Sequence, residues 1–271
     1  LAIRAELAKN YEKYEQGGQL SLQEMLKQDR LKKMLQRIEF LMNRHYGDIA
    51  QNIENALGGA YTDGYHMTAW AVETSAKTSI GYAAVRPETL TAMLQNPIKG
   101  LTLKARLQMR RARIIQAIQQ QVTQGLQKNE SYSTMAKRLK SELEGDAVKA
   151  MRIVRTEGHR VQESAKHDAM EFANGNGVIM MKQWNTQEDV RVRRKPKNKA
   201  DHKKLNNKKV PMDGLFDDGL SEGPAPGQLG AAGSDINCRC FLTYSIEKVE
   251  RREVKDIEKL TFDQWKKEKL N

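Results

Sequence analysis

Two cysteines and a histidine carry the most chemistry in this sequence. Cys238 and Cys240 flank Arg239, and His202 lies upstream of them. Thiolate sulfur and imidazole nitrogen are the donors that zinc takes in a tetrahedral set. Cys-X-Cys is tighter than the usual Cys-X2-Cys knuckle, and these three residues leave the set one ligand short. His159 and Asp201 are loose candidates for the fourth place. The same residues also read as a nucleophile and its base. Cys238 or Cys240 would attack, His202 would take the proton, and Asp189 or Asp201 would orient the imidazole. A third reading makes both cysteines small core residues. No Walker loop and no His-Glu-X2-His helix occurs, and a serine nucleophile elbow is not expected. The expectation is a protein that is not an enzyme and needs no cofactor, with zinc the one metal kept open. The cysteines stand too close for an unstrained mutual bridge, so a reduced, intracellular setting is expected.

Basic residues form the second chemical signal. The formal charge is +12, with 39% hydrophobic and 30% charged residues. From Leu101 to Arg160 there are 13 Lys and Arg against 5 Asp and Glu. From Lys182 to Asp213 there are 11 against 4. The second stretch contains Lys195, Lys197, Lys199, Lys203, Lys204, Lys208 and Lys209 among several Asn residues, as a loop would. Such lysines can neutralise phosphates without reading base sequence. They can equally face an acidic protein surface or solvent. No run approaches the roughly 18 apolar residues of a membrane span. The chain starts at Leu1, which suggests a segment ahead of it.

The elements that must hold these residues follow from periodicity. Leu22, Met25, Leu26, Leu31, Met34, Leu35, Ile38, Leu41 and Met42 recur at helical spacing, so residues 1 to 55 read as helix broken at Gly17-Gly18. A further break is expected near Gly58-Gly59. Pro87 and Pro97 bracket a short helix from Glu88 to Gln95. Leu103, Leu107, Ile114, Ile118 and Val122 mark a long helix from Thr102 to Leu126, with Arg106, Arg110, Arg111 and Arg113 on its first half. Ser131 or Ser133 would cap a helix from Tyr132 to Leu143. Another helix is expected from Ala147 to Ala173, ended by the Asn174-Gly175-Asn176-Gly177 turn. Val178 to Trp184 and Cys240 to Ile246 alternate as strands do, and Asp189 to Arg194 is a candidate third. The tail from Glu247 reads as charged and partly helical. The fold class is therefore α+β and mostly α-helical. A helical region, 1–144, would serve docking or oligomerisation. A small α+β module with a short antiparallel sheet, 145–246, would follow, then the tail, 247–271.

Three strings in the module occur in a recognisable order. Arg152-Ile-Val-Arg155-Thr156-Glu157 leads to Gln162-Glu-Ser-Ala165. Trp184-Asn-Thr186-Gln-Glu-Asp189-Val-Arg191-Val-Arg193 is followed by Asp201-His202 and Met212-Asp213-Gly214. Pro224-Ala-Pro226 precedes Asn237-Cys238-Arg239-Cys240. Together, over residues 115 to 246, they resemble the phage Mu F-like minor head protein family. The Lys195–Lys199 insertion lengthens the usual spacing between Arg193 and His202.

The resemblance implies a structural protein of tailed-phage head morphogenesis, present in few copies and associated with the portal or major capsid protein. It also implies a virion location inside the capsid, host cytoplasm during assembly, and contact with double-stranded DNA. Some members carry fused toxin domains, and none is expected within these residues. Within the matched strings, Arg155, Glu157, Trp184, Asp189, Arg191 and Arg193 read as structural, with Glu157 accepting from Arg191 or Arg193 to tie helix to strand. The competing functions are a general basic nucleic-acid-binding protein and a Cys/His hydrolase or transferase.

Overall fold

A computed structural model describes residues 2–95, 100–250 and 257–270. The chain forms two compact units that are not consecutive in sequence. One comprises Leu1–Ile53 and Lys104–Met151; the other comprises Glu54–Leu103 and Arg152–Asn271. No helix among the described residues is long and apolar enough to cross a membrane.

The first unit is helical. It holds α1 (Ala2–Tyr14), α2 (Leu22–Leu26), the first part of α3 (Arg30–Ala76), most of α5 (Leu103–Gln127) and the first part of α6 (Tyr132–Gly175). The apolar stripes read from the sequence converge here. Leu7, Leu20, Met25, Met34, Ile38, Ile118, Val122, Leu126, Met135 and Leu139 form one buried cluster. Gly17 and Gly18 both take positive φ and end α1, as expected of residues without a Cβ. Ser131 caps α6 by accepting from the Thr134 N–H at 3.3 Å.

Two expected breaks do not occur. α3 runs unbroken through Gly58-Gly59, and α6 runs unbroken through residues 144–146. A helix-interior glycine costs only about 1 kcal/mol, which packing on both sides of it outweighs. At Gly64 the small residue permits close approach: an added Cβ would lie 3.2 Å from the Ala165 Cβ of α6. α4 (Pro87–Gln95) matches its expected bounds; Pro97 lies outside the described residues.

The second unit contains the sheet. β1 (Val178–Asn185) is central, with β2 (Lys209–Pro211) on one side and β5 (Phe241–Val249) on the other, both antiparallel. Trp184 stands opposite Leu242 in this register. β1 alternates as the sequence suggests, with Val178, Met180, Lys182 and Trp184 on the buried face. β3 (Phe216–Asp217) and β4 (Glu222–Gly223) form a separate hairpin, and α7 (Ala232–Asp235) is a single turn. Asp189 to Arg194 is turn and bend, not a strand. The tail folds back as α8 (Phe262–Lys269), capped by Thr261. Its Trp265 is fully buried and donates to Glu73 of α3 at 2.8 Å.

Candidate functional site

The module brings His202, Cys238 and Cys240 together and buries all three. Their donor atoms lie within 4.8 Å of one another. Both thiols converge on one ring nitrogen: His202 Nδ1 is 3.6 Å from the Cys238 Sγ and 3.4 Å from the Cys240 Sγ. The other ring nitrogen, Nε2, is 3.1 Å from the Asp218 carboxylate. Donation from Nε2–H to Asp218 would leave Nδ1 as the lone-pair nitrogen facing the sulfurs. Asp218 is itself fixed, since its other oxygen accepts the Leu220 and Ser221 N–H groups at 2.8 and 3.0 Å. Burial works against its charge, but those bonds, one from Ser234 and the nearby His202 hold its carboxyl below the ordinary range.

Each participant comes from a different short element. His202 immediately precedes a 3-10 turn at Lys203–Leu205, and Asp218 follows β3. Cys238 lies beyond α7, where Asp235 accepts the Leu229 and Gly230 N–H groups and pins the preceding loop. Cys240 directly precedes β5. Trp184 of β1 lies edge-on to His202, ring centres 5.4 Å apart, and Phe216 packs beside it.

A fourth group approaches from α6. His159 lies against the Cys238 thiol, and its Nε2 is buried with no hydrogen-bond partner among the described residues. The two thiols do not ionise alike. Hydrogen bonds from Cys240, His159 and His202 outweigh burial and push Cys238 well down. Cys240, hydrogen-bonded to Cys238 and buried, is pushed up. The candidate orienters lie elsewhere. Asp189 accepts both bonds of a bidentate ion pair from Arg239, at 2.6 and 2.7 Å, which holds its carboxyl down at about 2. Asp201 accepts the Lys204 backbone N–H.

The helix-to-strand tie exists but uses other residues than expected. Glu157 pairs with Arg160 on its own helix at 2.9 and 3.0 Å, both side chains buried, and Arg160 continues to the Met93 carbonyl. An i, i+3 partner on the same helix is reached at far lower entropic cost than a loop arginine. Arg193 donates instead to the Ile236 carbonyl, Arg191 lies 3.5 Å from Asp189, and Arg155 is exposed. Contacts from α6 to the later chain are made by Glu163, which accepts the Leu242 N–H at 2.9 Å, and by Thr156, which accepts the Asn237 N–H at 3.2 Å. Lys182 of β1, fully buried, donates to His167 Nε2 at 3.1 Å.

Asp218, Glu163 and the His167–Lys182 pair were not singled out from sequence. Lys182 left a trace as a charge on the apolar face of an alternating strand, and Glu163 lies within the Gln162–Ala165 string without a role having been read for it. A Gly-X-Ser-X-Gly string does occur, at Gly219 to Gly223. It forms the β3–β4 hairpin turn, with Ser221 bonded to Ser234, and is not the strand-to-helix elbow that exposes a nucleophile.

All seven candidate lysines, Lys195 to Lys209, are exposed. Their segment is nevertheless an ordered surface and not a free loop. Ala200, His202 and Leu205 anchor it in the interior, and Lys203 and Asp201 bond by backbone to Arg193 and Asp218.

Residues 116–243 match the family of phage Mu protein F like proteins. The chain is 31% identical over 277 residues to minor head protein GP7 of Bacillus phage SPP1, covering 98% of this chain and 88% of that protein. It is 24% identical over 252 residues to the NAD(+)--arginine ADP-ribosyltransferase EFV of Enterococcus faecalis, spanning half of that protein's length. No solved structure matches. The near full-length similarity to GP7 and the ordered match through the module show that the chain belongs to the phage Mu protein F like family.

Proposed function

We propose that this chain is a minor head protein that acts structurally in tailed-phage head morphogenesis, in contact with the portal or major capsid protein. The observation that carries it is the 31% identity to a minor head protein along almost the whole chain. The geometry favours a structural role over catalysis. A catalytic thiol must be reached by its substrate. Cys238, Cys240 and His202 are 3%, 4% and 1% exposed. A cavity lined by His202, Asn237 and Cys240 measures about 10 Å³. That is room for one water at most. The ADP-ribosyltransferase name belongs to a protein twice as long as the matched region.

The virion is then where the chain works, inside the capsid after assembly in the host cytoplasm. Co-expression with the portal and major capsid proteins of the same phage tests the partner. Co-elution with either is expected, and elution alone from both would count against the reading. The exposed lysines from Lys195 to Lys209 would meet packaged DNA through its phosphates. Affinity should then fall steeply with salt, the log–log slope giving about 0.9 per phosphate contacted. Alanine at all seven lysines should flatten that slope; absence of DNA retention even at low salt would remove DNA as the partner.

A further inference from the structure

We propose that His202, Cys238 and Cys240 bind one zinc ion that staples the loops of the second unit together, with His159 moving in from α6 to take the fourth place. The role is structural and independent of which head protein the chain contacts.

The argument starts from the shared nitrogen. A neutral imidazole has one in-plane lone pair on Nδ1, and an imidazolium has one proton there. Either state bonds one sulfur only, so without a metal the second sulfur must pair with its neighbour thiol, yet both sulfurs face His202 Nδ1 at 3.4 and 3.6 Å. A cation among them satisfies all three donors at once. Zinc–sulfur bonds of about 2.3 Å and zinc–nitrogen bonds of about 2.0–2.1 Å set sulfur and nitrogen about 3.6 Å apart across a tetrahedral centre. The observed separations already match that spacing.

The surroundings fit as well. Metal-bound histidines commonly give their second N–H to a carboxylate, which fixes tautomer and orientation. Asp218 occupies that place, fully buried and held by two backbone N–H groups. His159 of α6 is the fourth donor within reach: it neighbours Cys238 and its Nε2 is buried and unpartnered among the described residues, but it lies outside the 4.8 Å cluster of the other three donors and would have to move in to bind. Two thiolates would neutralise a divalent ion, so the buried centre would carry no net charge with either imidazole, which a dry interior requires. The soft thiolate and imidazole donors favour zinc over magnesium or calcium.

The local architecture also needs such a staple. Between β1 and β5 the second unit has β2, β3 and β4, of two or three residues each, a 3-10 turn at Lys203–Leu205 and a single-turn helix. The apolar cluster there is small: Trp184, Leu205, Phe216, Ala225, Leu229, Leu242 and the two cysteines. A metal joining α6, the His202 segment and the chain before β5 would close long loops that this core holds weakly by itself. The enclosed, substrate-inaccessible position suits a structural site with four protein ligands.

The chain has two cysteines, so thiol-dependent signals report on this site alone. The full chain, purified without chelators, should contain close to one zinc per molecule by atomic emission. Titration of both thiols with an organomercurial should release that zinc in step with thiol modification. After exchange into cobalt, a thiolate-to-cobalt charge-transfer band should appear. Asp218→Asn should keep the band and lower affinity by about 10- to 100-fold. His159→Ala should keep the band but shift the cobalt d–d spectrum as water replaces imidazole. Should Cys240→Ser fail to fold, the wild-type titration still decides. Zinc below about a tenth per chain with no cobalt–thiolate band overturns the proposal, as does zinc that thiol modification leaves in place. An unchanged d–d spectrum in His159→Ala removes His159 from the ligand set.

Discussion

The two units of this molecule are held by different physics. In the unit built from 1–53 and 104–151, helices bury Leu, Ile and Met on one another. Asn10 and Asp146 are its buried polar residues among those described. The unit built from 54–103 and 152–271 instead buries Glu73, Glu157, Arg160, Glu163, His167, Lys182, His202, Asp218 and Asp235. Each of these has a specific polar partner. Burial of apolar area tolerates small shifts, whereas a buried charge without its partner is expensive. The first unit should therefore respond to lost volume and the second to lost partners.

The contrast is sharpest at the Glu157–Arg160 pair. Glu157→Ala leaves Arg160 as an uncompensated buried charge, expected to cost about 3–5 kcal/mol and most of the soluble yield. A variant unfolding at the wild-type urea midpoint would break the comparison. In the helical unit, Ile118→Ala removes a fully buried branched side chain and should cost about 2–5 kcal/mol by cavity formation. Ile118→Val should recover most of that loss. Equal losses for both substitutions would mean that volume does not govern this core.

Lys182 offers an effect of opposite sign. Burial pulls its ammonium down to about 8 from the ordinary 10.5, partly offset by Glu171 and Asp213. Between those values the unfolded chain binds more protons than the folded one, so this group adds stability as pH rises from about 8 to 10.5. Below pH 8 it costs the folded state on the order of 2 kcal/mol, after allowing for its bond to His167. Lys182→Met should accordingly raise the melting temperature at pH 7, with the gain fading above pH 10. A gain that is constant with pH would assign it to packing alone. At the small end, Lys140→Ala removes an exposed i, i+4 pair with Glu144 and should change stability by no more than about 0.5 kcal/mol.

The same contrast explains what could be read from the sequence. Helical periodicity from Leu22 to Met42 and from Leu103 to Val122 marked the elements of the first unit and the residues they bury. Alternation marked β1 and β5. The continuity of α3 and α6 was hidden because a glycine's local cost is outweighed by packing that only the folded chain reveals. The site was half legible: Cys238, Cys240 and His202 announced themselves by type. Asp218 sits in an acidic, glycine-rich turn where an aspartate is unremarkable, and His159 lies 43 residues from His202 along the chain. Their convergence depends on the β3–β4 turn and on α6. Glu157 was assigned across the module because the sequence offered arginines there, while its nearer partner Arg160 lay one turn away.

The central claim is a structural role in the phage head, and the composition of the head tests it most directly. Quantitative mass spectrometry of DNA-filled heads, purified from the phage that encodes this chain, should find it in a few copies per particle. Heads made without it should be defective in assembly. Heads that lack the chain altogether yet assemble and package normally would contradict the account.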